Sequence, residues 1–123
     1  MHIVYIGIGG FVGAIARYAL DGWVADRVGR SFPLGTMVVN LSGALIVGIL
    51  FALTIERAAL SPELRGPLMI GLVGSYTTFS TLVLESWRMA EDGAWLLATT
   101  NLAASGLLGV GALIAGLAIG RAL

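Results

Sequence analysis

The sequence is 123 residues long, 58 % hydrophobic and only 11 % charged, and its seven basic and seven acidic residues give a formal net charge of zero. It contains no cysteine, which excludes disulfides, thiolate metal sites and a cysteine nucleophile. The absence of a basic excess argues against nucleic acid as a partner. This composition is typical of a membrane protein.

Four stretches are long enough to cross a bilayer, because an apolar helix needs about 20 residues to span the hydrocarbon core. They are predicted at residues 3–20, 33–55, 67–87 and 94–120. The start "MHIVYIGIGG" has no basic region before its apolar residues, so we expect a retained helix and not a signal peptide. The sequence therefore predicts one all-α domain over residues 1–123, a multi-pass protein of the cell inner or plasma membrane.

The first span carries two features, a basic residue near its end and closely spaced glycines. Arg17 either reaches the lipid headgroups or is held inside for a functional reason. Gly9 and Gly13 are four residues apart, a spacing that lets membrane helices approach closely, and Gly116 and Gly120 repeat it in the fourth span. For these glycines, packing is the favoured interpretation.

The connectors give the chain no strong preference for one orientation. All seven basic residues are arginine, and they divide almost equally between the two ends of the predicted bundle. Orientation follows the excess of basic residues in cytoplasmic loops, and that excess is nearly zero here. Insertion in both directions would permit an antiparallel homodimer, whereas the alternative is that a single charge decides; the sequence leaves both open.

The middle of the third span is unusually polar. "GSYTTFSTL", residues 74–82, carries five serine and threonine hydroxyls, and Gly74 with the β-branched Thr77 and Thr78 weakens a helix at this point. Irregular backbone at membrane depth survives only where it is buried in protein or lines water. The pattern predicts a broken third helix whose free backbone groups bind an ion, against the alternative of an unbroken helix with self-bonded hydroxyls.

Neutral polar residues accompany this stretch in the second and fourth spans. Asn40 lies in the second, and Asn101 and Ser105 lie one helical turn apart in the fourth. Residues 31–55, 66–84 and 93–120 contain no charged residue, so a proton-loading carboxylate inside these spans is missing. Amides, hydroxyls and aromatic edges without a carboxylate favour passage of a small anion.

Three segments resemble, in order and spacing, the signatures of the CrcB, or Fluc, fluoride channels: "GGFVGAIARY" (9–18), "PLGTMVVNLSGALIVG" (33–48) and "GLVGSYTTFSTLVLE" (71–85). The resemblance implies a four-helix subunit with the third helix broken at mid-membrane. It also implies an antiparallel dual-topology homodimer with two fluoride pores. A structural sodium ion on the dimer axis, bound by the backbone carbonyls of Gly74 and Thr77, belongs to the same expectation.

The resemblance also implies which residues line each pore. The family's pore asparagine matches Asn40, its phenylalanine matches Phe79, and its fourth-helix polar track falls on Asn101 and Ser105. Leu82 stands where many members carry a second phenylalanine, which is the sharpest departure. The motif hydroxyls of Thr78, Ser80 and Thr81 join the path, and Arg17 and Glu85 match vestibule or anchor positions.

These observations predict a selective channel that exports fluoride passively and so relieves its toxicity. Its partners would be fluoride, sodium, the lipid bilayer and a second copy of the chain. The alternatives are a small proton-coupled multidrug exporter, which would need a carboxylate inside an early helix, and a non-transporting membrane assembly subunit. No nucleophile–base pair or metal-ligand cluster is visible, so an enzyme is not predicted.

Overall fold

The computed structural model describes residues 1–123 and is entirely helical. Helix α1 runs over His2–Val28, α2 over Leu34–Phe51, α3 over Gly74–Tyr76, α4 over Phe79–Glu91 and α5 over Trp95–Ala122. Segments Ala52–Glu56 and Gly66–Val73 are π-helical, and Pro62–Leu64 is a short 3-10 turn. Four helical stretches, His2–Val28, Leu34–Glu56, Pro62–Glu91 and Trp95–Ala122, are long and apolar enough to cross a membrane. The prediction of four spans is confirmed.

Helix α1 is longer than the predicted first span. It continues through residues 21–28, which the sequence analysis placed in a connector, and ends at Gly29, whose φ of 82° stops the helix. The guanidinium of Arg27 lies 4.5 Å from the centre of the exposed Trp23 ring. A tryptophan paired with an arginine is typical of the membrane–water interface, and it explains how the helix extends past its apolar part.

Glycines bring two pairs of helices into backbone contact. A side-chain carbon added at Gly9 or Gly13 would overlap the backbone of Pro67 or Leu72, in the π-helical segment Gly66–Val73. Gly116 of α5 faces the backbone of Leu45 in α2 just as closely. The packing role predicted for these glycines is confirmed, and it follows from the need for close contact where lipid supplies no hydrophobic drive.

The third span consists of two halves joined by a short non-helical step. The first half is Gly66–Tyr76, made of the π-helical segment and α3, and the second half is α4. Between them Thr77 has φ −83° and ψ 156°, and Thr78 has φ −148° and ψ 113°, so both are extended. We call Thr77 and Thr78 the interruption. The first half packs on α1, whereas α4 packs on α5.

Candidate functional site

The interruption is held by the side-chain amide of Asn40, in the middle of α2. The backbone N–H of Thr78 donates to Asn40 Oδ1 at 2.7 Å, and Asn40 Nδ2 donates to the carbonyl oxygen of Thr78 at 2.9 Å. One side chain therefore pairs with both backbone groups of one extended residue, as a neighbouring strand would. Because an amide nitrogen carries two protons, one N–H of Asn40 is left for another acceptor.

Two neighbours of Asn40 on α2 complete the support of the interruption. Ser42 donates to the carbonyl of Val39 at 3.0 Å, so its oxygen accepts the phenol proton of Tyr76 at 2.7 Å. A side-chain carbon at the buried Gly43 would overlap the methyl group of Thr77. Helix α2 thus contacts Tyr76, Thr77 and Thr78 in succession, through a hydroxyl, a glycine and an amide.

The interruption changes which backbone carbonyls are satisfied. In a continuous α-helix the N–H of Thr78 would donate to Gly74 and the N–H of Thr81 would donate to Thr77. Here Asn40 accepts from Thr78, and the Thr78 hydroxyl oxygen accepts from the Thr81 N–H at 3.3 Å as the N-cap of α4. The carbonyls of Gly74 and Thr77 therefore lack the donors that a helix would give them.

The hydroxyls after the interruption form a short directional chain. Thr78 Oγ1 donates to Thr81 Oγ1 at 3.0 Å, so the proton of the Thr81 hydroxyl has no acceptor within the subunit. Ser80 is exposed, with its oxygen 3.4 Å from that of Thr78. The Phe79 ring, 77 % exposed, projects from the surface of the subunit beside them.

A partly open polar cavity of about 140 Å³ lies beside these hydroxyls, between α1, α2 and the start of α4. Its lining combines one cation, one carboxylate, four hydroxyl-bearing residues and one valine: Arg17, Tyr18, Asp21, Thr36, Val39, Thr78 and Thr81. Thr36, which is buried, also donates to Glu85 Oε1 at 2.5 Å and so joins α2 to α4. Arg17, Thr78, Thr81 and Glu85 therefore gather on one side of the interruption.

The predicted residues of the fourth span lie apart from this cluster. Asn101 is 1 % exposed, and its Nδ2 donates to Ser86 of α4 at 2.9 Å, while the Ser86 hydroxyl donates to the carbonyl of Leu82 at 2.8 Å. Asn101 Oδ1 and Ser105 Oγ are buried without a hydrogen-bond partner in the subunit. Leu82 is itself buried, at 9 % exposure, in contrast to the exposed Phe79.

Sequence reasoning missed three partners of this site: Thr36, Ser86 and the pair formed by Ser42 and Tyr76. Thr36 stands four residues before Asn40 and so on the same helical face, a spacing that was available in the sequence. Nothing in the sequence indicates that Ser86 would accept from Asn101, because the two residues approach only when α4 packs on α5. No group of three or more His, Cys, Asp or Glu residues could hold a metal ion, so a cation here would depend on neutral oxygens.

Comparison with known proteins places the chain among related sequences along almost its whole length. A family model described as "CrcB-like protein, Camphor Resistance (CrcB)" matches residues 4–117. A protein of Magnetococcus marinus named fluoride-specific ion channel FluC is 42 % identical over 121 residues, which cover 98 % of each chain. A protein with the same name from Geotalea daltonii is 44 % identical over 86 % of this chain and 86 % of its own length. Another, from Solidesulfovibrio magneticus, is also 44 % identical, over 95 % of this chain and 94 % of its own length.

Proposed function

The chain belongs to the CrcB-like family, and we propose that this multi-pass membrane protein is a fluoride-selective channel that lets the ion leave the cell down its gradient. It acts as a channel and not as an enzyme. The observation that carries the proposal is the set of uncharged hydrogen-bond donors at the interruption: the remaining N–H of Asn40 and the unpaired hydroxyl proton of Thr81.

These donors suit the chemistry of fluoride. The ion is small and strongly hydrated, so a pore must replace its water shell with donors yet bind it weakly enough to release it. Amide and hydroxyl protons meet both conditions, and the exposed edge of the Phe79 ring adds a positive partial charge. Arg17 in the adjoining cavity attracts anions towards the donors, and Ser80, exposed beside Phe79, extends the polar surface.

A second copy of the chain is needed to cover the interruption. Gly74 is exposed on the subunit surface, and its carbonyl lacks its helical donor. Lipid-exposed irregular backbone is not tolerated within the hydrocarbon region, so protein must cover it. We place the interruption at mid-membrane, facing the same segment of an antiparallel copy, because the balanced arginines favour neither orientation. Two pores per dimer follow from this symmetry.

The freed carbonyls fit a sodium ion on the dimer axis. Unwound backbone carbonyls are the groups that membrane proteins use for sodium, and the helical donors of Gly74 and Thr77 are visibly diverted to other acceptors. Two copies would supply four neutral oxygens. The bound ion would supply a fixed positive charge near the anion path.

The remaining predicted residues take part less directly. Asn101 and Ser105 are proposed to border the path through the contact between α4 and α5, as is Leu82, whose carbonyl accepts from Ser86. Glu85, bonded to Thr36, anchors the start of α4 beside the cavity. Residues 3–16 of the first span contain no carboxylate, which disfavours a proton-coupled exporter, since such an exporter would need one inside an early helix.

The test is fluoride efflux from liposomes that contain only this purified chain, with chloride as the competing ion and an ionophore to dissipate the voltage. We expect rapid loss of fluoride with chloride retained. Asn40→Asp should abolish efflux because it removes the donor and adds negative charge, whereas Gly7→Ala, on an open face of α1, should not change it. A verified wild-type dimer without fluoride efflux would refute the proposal.

A further inference from the structure

Asn40 controls the backbone of the interruption as well as offering a donor. Its Oδ1 accepts from the N–H of Thr78, and its Nδ2 donates to the carbonyl of the same residue. An N–H can only donate and a carbonyl can only accept, so this pairing fixes the amide orientation chemically. Both backbone groups of Thr78, together with the oxygen and one N–H of Asn40, are thereby occupied, which leaves only the second N–H of the amide.

The hydrogen bond from the N–H of Thr78 to Asn40 also affects the carbonyl of Gly74, one helical turn earlier. If Asn40 did not accept the N–H of Thr78, the nearest helical acceptor for that proton would be the carbonyl of Gly74. A buried N–H rarely stays unpaired, and Thr78 is 8 % exposed, so loss of the asparagine acceptor would draw the N–H back towards Gly74. The tertiary bond from α2 thus competes directly with closure of the helix.

The hydrogen bond donated by the N–H of Thr81, which a continuous helix would direct to the carbonyl of Thr77, does not depend on α2. Thr78 Oγ1 caps the start of α4 by accepting from Thr81, which is a local contact between residues three apart. It therefore frees the Thr77 carbonyl whether or not Asn40 is present. Of the carbonyls of Gly74 and Thr77, only that of Gly74 depends on a residue from another helix.

We propose that Asn40 is a positioning residue for the cation site: by accepting the N–H of Thr78 it keeps the Gly74 carbonyl free to bind sodium. The inference rests on the proposed function for the presence of that ion. It implies that one amide links the two ion sites, because its oxygen maintains the cation site while its remaining N–H serves the anion path.

Two substitutions separate these roles. Asn40→Asp keeps an oxygen that can accept from Thr78 but removes the donor to the path and adds a negative charge. Asn40→Leu has a similar volume and no acceptor. The readouts are the melting temperature of the purified dimer as sodium is replaced by N-methylglucamine, and fluoride efflux from liposomes. A ligand that binds only the folded dimer raises its melting temperature with concentration.

We expect the wild-type melting temperature to rise with sodium. Asn40→Asp should retain this rise and lose efflux, and Asn40→Leu should lose both. Asn101→Leu is the matched control, since it removes the chain's other asparagine, which contacts Ser86 and not the interruption. It should lower the melting temperature at every sodium concentration and leave the rise intact.

Each contrary outcome has a distinct meaning. The inference would be overturned if the melting temperature of a folded Asn40→Leu dimer still rose with sodium as in the wild type. It would also be overturned if this rise were lost in Asn40→Asp or in Asn101→Leu. If Asn40→Leu does not fold, Asn40→Ala, which also lacks the acceptor, replaces it with the same expectation. A wild-type dimer stabilised by sodium but without fluoride efflux would refute the proposed function and leave the role of Asn40 standing, whereas a wild-type dimer indifferent to sodium would overturn that role.

Discussion

The two halves of the third span are held in different ways. The first half, Gly66–Tyr76, lies against α1 with backbone on backbone, at Gly9 and Gly13. The second half, α4, is held by side-chain hydrogen bonds, from Thr36 to Glu85 and from Asn101 to Ser86. The first arrangement fixes the backbone by close steric fit, and the second brings polar groups together. The first half, which carries the free carbonyl of Gly74, is thus held rigidly by steric fit. The second half, which carries the hydroxyl donor of Thr81, meets it at the interruption.

Enlarging a glycine at the steric contact should have the largest effect. In Gly13→Leu the new side chain would overlap the carbonyl of Leu72, and backbone cannot move aside as a side chain does. We expect a loss of more than about 3 kcal/mol in the free energy of unfolding, measured by denaturant titration in detergent. Gly7→Leu on the same helix, with no atom within 4 Å of its added carbon, is the control and should stay folded. Equal losses in the two variants would contradict the steric account.

Removing a hydrogen-bond partner in the second half should cost less. Ser86→Ala leaves Asn101 Nδ2 buried without an acceptor, and we expect a loss of about 1–3 kcal/mol in the same titration. Thr100→Ala, an exposed hydroxyl next to Asn101, should leave the free energy of unfolding almost unchanged. If both substitutions behave alike, the bond between α4 and α5 does not stabilise the second half.

Exchanging residues at positions 79 and 82 should separate stability from conduction. Leu82→Phe adds volume at a buried site and should destabilise the protein by about 1–2 kcal/mol without raising efflux. Phe79→Leu alters an exposed ring and should leave the free energy of unfolding unchanged while slowing fluoride efflux. Faster efflux in Leu82→Phe, with full stability, would mean that position 82 faces the path after all.

The smallest effect is expected away from both halves. Arg121, near the end of α5, donates two bonds to Glu56, the last residue of the π-helical segment Ala52–Glu56, but this pair is exposed to solvent and screened by salt. Glu56→Gln should therefore leave the free energy of unfolding within experimental error at physiological salt. A clear loss would show that the bundle depends on its ends as well as on the contacts of the third span.

Much of the polar cluster could be anticipated from residue types, but its pairing could not. Asn40, Thr78 and Thr81 were predicted as polar residues at one depth, and the structure brings them together. Asn101 and Ser105 are predicted at a similar depth, yet no hydrogen bond connects either residue to that cluster. The depth of a residue in the membrane follows from its position along a span. The direction in which its side chain faces, relative to the other helices, depends on which helix packs beside that span.

The sequence by itself determined the four spans, the close glycine contacts and the weak point in the third helix, because these follow from apolar length, residue size and local backbone preference. Only the tertiary structure decided that Asn40 accepts the N–H of Thr78, across 38 residues of sequence, and that Leu82 lies inside the subunit. Such pairings are set by the packing of whole helices. No local pattern of residues records which donor will meet which acceptor.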